Sequence, residues 1–190
     1  IDPVVVAGHV IVALQQIVSR QVGPLQSVVV TIATIHGGTK ANIIPDQVEM
    51  EGTVRLLDPM LRDVMPQRIE RLVTGVCSAF GATGTVEYTH GAPSCVNDPA
   101  MVELARKAAA LAIGEENVME GKVSLGGEDF SYMLQVSPGA MGSLGTSDPS
   151  TPHSERIPLH NARMMVYEPS LLHGVAYYIA LATSERLTGK

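Results

Sequence analysis

The sequence predicts an α/β protein in two segments. Residues 1–91 order as α-β-β-α-β, residues 92–190 change to alternating short strands and helices, and Asp-Pro pairs open the helical stripes at Asp2-Pro3, Asp58-Pro59 and Asp98-Pro99. In each pair the aspartate is a capping carboxylate and the proline sits where the first helical turn tolerates a missing N–H. The first order lacks only a leading strand to complete a ferredoxin-like β-α-β-β-α-β unit. The second is the grammar of a layered α/β architecture.

After Asp2-Pro3, the residues Val4, Ala7, Ile11, Leu14 and Val18 recur at helical spacing and predict a helix ending near Arg20. Past Gly23-Pro24 the β-branched run Val28 to Ala33 predicts a strand, Val48, Met50, Gly52 and Val54 alternate as a second, and Asn42 to Asp46 connect them. Leu61, Met65, Ile69, Leu72, Val76 and Phe80 then form a second helical stripe, which Pro66 is expected to kink or start late. Gly81 to Gly84 stop it, and Thr85 to Thr89 are expected to return as a strand. In the second segment a helix from Asp98-Pro99 carries Val102, Ala105, Ala109 and Ala112. A short strand around Val123 to Leu125, a short helix through Phe130 to Met133 and a strand around Ala140 to Leu144 follow. A Ser-, Pro- and Thr-rich loop spans Thr146 to Pro158, and the last helix carries Leu171, Val175, Ile179 and Ala182.

The apolar share of 45% is enough for a sizeable core. The net charge of −6 comes from scattered carboxylates without a basic patch, which argues against nucleic acid as a partner. Cys77 and Cys95 are too few for a disulfide framework and lack paired thiolate spacing, so a reducing cytoplasm is the expected compartment. No apolar run is expected to approach the roughly 20 residues that span a bilayer, so no membrane partner is expected.

Three stretches concentrate the chemistry. They are His36-Gly37-Gly38-Thr39-Lys40-Ala41-Asn42-Ile43-Ile44-Pro45-Asp46 with the later Gly52-Thr53-Val54-Arg55, then Ser124-Leu125-Gly126-Gly127-Glu128-Asp129-Phe130, then Pro158-Leu159-His160-Asn161-Ala162-Arg163. Together they resemble the binuclear-metal amidohydrolases that include hippurate hydrolases, aminoacylases and auxin-conjugate hydrolases, over nearly the whole chain. The resemblance implies that residues 1–91 are that family's lid and dimerisation domain, lacking its first strand. It implies that residues 92–190 are the C-terminal part of its metal-dependent catalytic domain. That family draws most metal ligands and its general-base glutamate from an N-terminal half, so the chain is expected to be a C-terminal half and to contain no catalytic residue of its own.

His160 is the residue this resemblance assigns to metal, and a neutral imidazole suits zinc, manganese, cobalt or nickel. Taken alone, a single His is a surface or structural residue as readily as a ligand, and one His cannot hold a catalytic metal. Glu128 follows two glycines that let backbone approach a substrate closely, with Gly127 beside it. It lines the pocket in one reading, whereas Asp129 equally well caps the short helix that follows. Asn42 and Arg55 offer an amide and a guanidinium suited to a carboxylate or to the oxygen of a scissile carbonyl. The alternatives are an Asn closing the turn before Pro45 and an Arg on a solvated strand face. His36 is an additional polar candidate on the same lid. His9, His90, His153 and His173 have no motif around them and read as structural or solvated. Gly37-Gly38 is not a phosphate loop, and no Gly-x-Ser-x-Gly elbow occurs.

The activity implied is hydrolysis of N-acyl amino acids to a carboxylic acid and an amino acid, by two divalent metals whose bridging water attacks the amide carbonyl. The implied partners are the enzyme's own N-terminal half and a second copy docked through the lid. No metal is expected to be held tightly by this chain alone. The contrasting expectations from the residues are a non-catalytic dimerisation module and a small-ligand-binding module.

Overall fold

The computed structural model describes residues 1–183 as a mixed α/β chain with a small two-stranded sheet. Helix α1 (Pro3–Arg20) is followed by β1 (Val28–His36), β2 (Glu49–Leu56), α2 (Pro59–Ala79), α3 (Pro99–Ile113), the short α4 (Phe130–Leu134) and α5 (Ser170–Thr183), with single 3-10 turns at Glu115–Asn117 and His153–Glu155. The chain divides into two compact units. One holds Ile1–Ser94 with Ser124–Asp129, and the other holds Cys95–Val123 with the described residues from Phe130 on.

The Asp-Pro pairs act as capping elements. Asp2 accepts the Val4 N–H at 2.9 Å, Asp58 that of Met60 at 2.8 Å, and Asp98 those of Ala100 and Met101 at 2.9 and 3.0 Å. Removing the doubly bonded cap by Asp98→Ala should cost about 0.5–2 kcal/mol, read as a lower urea midpoint with an unchanged slope. An unchanged midpoint would show that the α3 terminus is held by other contacts.

In the first unit α1 and α2 lie on one face of an antiparallel β1-β2 hairpin. Val6, Val10, Leu14 and Ile17 of α1 and Leu61, Met65, Ile69, Val73 and Cys77 of α2 close with Val28 and Val30 over this face. Pro66 does not delay α2, which runs through it without a break. An interior proline costs about 3 kcal/mol. Burial of Leu61, Met65, Ile69 and Val73 on both sides of it contributes about 1.5–3 kcal/mol per side chain, which outweighs that cost. Ala33 is an extra residue between Ile32 and Thr34, opposite the Gly52-Glu51 step of β2. Gly52 is required there, because a Cβ would overlap the Thr31 carbonyl.

Three expected strands are absent. Residues 85–89 alternate in burial, and Val86 and Tyr88 pack on the core, yet this segment is not hydrogen-bonded into the sheet. It is fastened by other groups: Arg62 donates to the Gly91 carbonyl at 2.6 Å and the Ser94 hydroxyl to the Leu56 carbonyl at 2.8 Å. Residues 123–125 and 140–144 likewise join no sheet. The Asn97 side chain takes the place of a strand edge, donating to the Met141 carbonyl and accepting its N–H, both at 2.9 Å, while Asp98 N–H donates to the Gly139 carbonyl at 2.9 Å. Strands exist by pairing, and β-prone residues without a neighbouring edge remain extended but unpaired.

The second unit is built on α3 against α5. Among its described residues only Ala108, Ser131 and Ser170 are fully buried, while Leu171, Leu172, Val175, Tyr178 and Ile179 leave an apolar face on α5 exposed. The expectation about apolar runs also needs correction. The 18 residues of α1 are long and apolar enough to cross a bilayer by length and composition, although its Val6, Ala7, Val10, Leu14 and Ile17 form the core of the first unit.

Candidate functional site

Side-chain alternation along β2 sends Met50, Val54 and Leu56 into the helical layer and leaves Glu49, Glu51, Thr53 and Arg55 exposed on the opposite face. Arg55 pairs across the hairpin with Val29. The loop Ser124–Asp129 belongs to the same unit, and there Gly127 lies against the arginine: a Cβ on Gly127 would come within 3.1 Å of the Arg55 Nη1. Ser124 shapes the approach, its hydroxyl accepting the Gly126 N–H at 3.1 Å. The sequence reading included this serine in its motif without giving it a role, although a Ser two residues before a Gly-Gly pair is a recognisable turn signal. Glu128 follows, half-buried. Arg55, Gly127 and Glu128 are thus gathered at one place although 72 residues separate the first two.

Chemically this is an anion-reading arrangement. A planar guanidinium offers forked donors that match a carboxylate, and a glycine beside it lets a ligand approach the backbone. Among the described residues Arg55 has no ion-pair partner.

His36 and Asn42 lie elsewhere in the same unit. His36 ends β1 and pairs with Glu49, seven residues along the strand from the partner of Arg55, so about 20 Å separates the two positions. Asn42 is in the exposed connection beyond His36, where the Ile43 N–H closes a turn on the Lys40 carbonyl at 3.3 Å. This connection borders an open groove with Asp2 and Val4 on its other side. One small ligand therefore cannot touch Arg55 and Asn42 of the same chain.

In the second unit His160 is exposed at the head of a turn in which Asn161 Oδ1 accepts the Arg163 N–H at 2.9 Å. Its φ is +64°, the single left-handed non-glycine residue among those described. For an L-residue that conformation costs about 1–2 kcal/mol, and such strain is concentrated at functional positions. Among the described residues no three His, Cys, Asp or Glu side chains come together as a metal cage. His160 is one donor, so the described residues do not fit a complete metal site.

The remaining histidines have other surroundings. His9 stacks on Phe80 at 4.7 Å, and His90 meets the Tyr88 ring edge-on at 5.2 Å. Burial raises the Tyr88 hydroxyl above the usual tyrosine range, with Arg62 pulling it back. His153 sits in a 3-10 turn and His173 is exposed on α5.

Against known proteins, the family model described as Peptidase family M20/M25/M40 matches residues 3–184. The chain is 41% identical over 145 residues to an N-acetyl-L-cysteine deacetylase of Bacillus subtilis, covering 76% of this chain and 34% of that protein. It is 35% identical over 183 residues to thermostable carboxypeptidase 1 of Saccharolobus solfataricus, covering 96% and 45%. Among solved structures, a Bacillus subtilis protein described as a dinuclear metal-binding peptidase of the M20 family superposes with a TM-score of 0.72 at 31% identity, over 96% of this chain and 45% of that one. The chain spans less than half the length of the curated relatives it matches.

Proposed function

The chain belongs to peptidase family M20/M25/M40, and from that membership we propose that it is the C-terminal half of a metal-dependent amidohydrolase acting on N-acyl amino acids, hippurate-like or related conjugates. Deacetylases and carboxypeptidases share one substrate feature: the amide they break precedes a residue with a free α-carboxylate. The observation that carries the proposal is the Arg55 guanidinium set against Gly127. That pair supplies the donors such a carboxylate requires, with Glu128 beside them.

His160 contributes one donor to a two-metal centre whose other ligands, and whose general-base glutamate, lie outside these 190 residues. Its left-handed backbone supports this reading, because the turn holds the residue in a conformation that the protein has to stabilise elsewhere. The exposed α5 face supports it too, as surface suited to cover by the rest of a larger catalytic domain. The extended segments at 123–125 and 140–144 would gain strand partners from the same source. Asn42 and His36, at the far end of the hairpin, serve a substrate held by a second copy rather than the one read by Arg55.

In the full-length enzyme Arg55→Ala should lower kcat/KM for N-acetyl and N-benzoyl amino acids by about 10–150-fold, the worth of a charge-assisted hydrogen bond of about 1.5–3 kcal/mol. The loss should fall mainly on KM, and the variant should no longer discriminate against substrates whose α-carboxylate is amidated. Wild-type kinetics with intact discrimination would return Arg55 to a solvated strand face.

A further inference from the structure

We propose that Glu51 determines which side chain the substrate carries, and that it selects an N-acyl amino acid whose side chain ends in an ammonium, such as Nα-acetyl-lysine. The substrate's α-carboxylate lies on Arg55 and its ammonium on Glu51. This rests on the role given to Arg55 above and extends it along the same strand. Glu51, Thr53 and Arg55 alternate onto the open face of the hairpin, opposite the face that α1 and α2 cover. Thr34 of β1 shares that face with Glu51, because its hydroxyl donates to Glu51 Oε2 at 3.5 Å.

Charge and spacing make this strip a reader of two opposite charges. Arg55 is the one Lys or Arg in either strand. Among the described residues neither Arg55 nor Glu51 has an ion-pair partner. The strand itself keeps them from pairing with each other. Four residues of rise separate the two positions by about 14 Å, with side chains standing roughly perpendicular to the sheet. Between them Thr31 and Thr53 pair across the hairpin, both exposed. Their short side chains leave a low floor between the two charged ends.

The length of that floor selects the ligand. One charge-assisted hydrogen bond of about 2.8 Å at each end leaves about 8 Å of the separation to be spanned. Extended lysine covers about 7–8 Å from its α-carboxylate carbon to its ammonium. Its methylenes then lie over the two threonines. A side chain ending in a carboxylate meets Glu51 as a like charge and is repelled, which is discrimination against it rather than the mere loss of a contact.

The test is kcat/KM of the full-length enzyme for the Nα-acetyl derivatives of lysine, norleucine and α-aminoadipate, which have similar chain lengths and end in a cation, a methyl and an anion. The wild type should prefer them in that order, lysine over norleucine by at least about fivefold, the worth of an ion pair at an open site. Glu51→Gln should bring the lysine-to-norleucine ratio to about one. Glu51→Lys should place α-aminoadipate above lysine, a gain that misfolding cannot produce. A wild type without the lysine preference, or a preference that survives both Glu51 variants, would overturn the proposal. If Arg55→Ala nevertheless slows all three substrates, the carboxylate-reading role of Arg55 stands and Glu51 alone is discarded. Wild-type kinetics in Arg55→Ala, or hydrolysis of none of the three by the wild type, would overturn both.

Discussion

His160→Gly in the full-length enzyme should abolish most turnover while leaving the fold as stable as the wild type or slightly more so. The two effects have separate origins. Glycine adopts φ near +64° at no steric cost, so the substitution relieves about 1–2 kcal/mol of backbone strain at this position. The imidazole is lost at the same time. Changes to groups that merely support a metal ligand cost about 10–100-fold in affinity or activity, so loss of the ligand itself should cost at least about 100-fold. Metal content by elemental analysis should fall with turnover. His160→Asn is a useful companion, because asparagine also tolerates the left-handed region and replaces the ring with an amide. Retained metal and retained turnover in both variants would mean that the strained turn serves only the local chain path.

Gly52→Ala should be the most damaging single methyl addition in the first unit. The new Cβ would overlap the Thr31 carbonyl across the hairpin, and the opposing atom is backbone rather than a flexible side-chain end. Overpacking of this kind costs about 1–3 kcal/mol, seen as a lowered urea midpoint. Gly127→Ala offers an informative contrast. Its Cβ would meet the tip of the Arg55 side chain, which can swing aside. Stability should therefore hold while recognition of a substrate carboxylate weakens. Equal stability losses in the two variants would remove the distinction between a structural and a recognition glycine.

How much of this was legible in the sequence depended on how local each signal was. The Asp-Pro caps and apolar stripes placed α1, α2 and α3, because a cap and the turn it satisfies lie within three residues. Strands at 85–89, 123–125 and 140–144 were misread for the opposite reason. Their residues are β-prone, but pairing depends on a neighbour far away in sequence, and at Met141 that neighbour is an asparagine side chain. Continuity of α2 through Pro66 was decided by the burial of Met65 and Ile69, which a local proline rule does not weigh. Arg55 and Gly127 were each singled out by motif, yet nothing in their order shows that they meet. The separation of Asn42 from Arg55 is likewise a property of the hairpin: antiparallel pairing sends the connection after His36 and the end of β2 to opposite ends.

The central claim is that these 190 residues carry part of a hydrolase: a substrate-reading lid and one metal donor. Its most direct test is amidase activity and metal content of the chain alone and after mixing with the remaining half of the protein. The chain alone should hydrolyse neither N-acetyl nor N-benzoyl amino acids and should retain no stoichiometric zinc, manganese, cobalt or nickel after dialysis, while the mixture should do both. Turnover with bound metal in the isolated chain, or none in the properly folded mixture, would contradict the account.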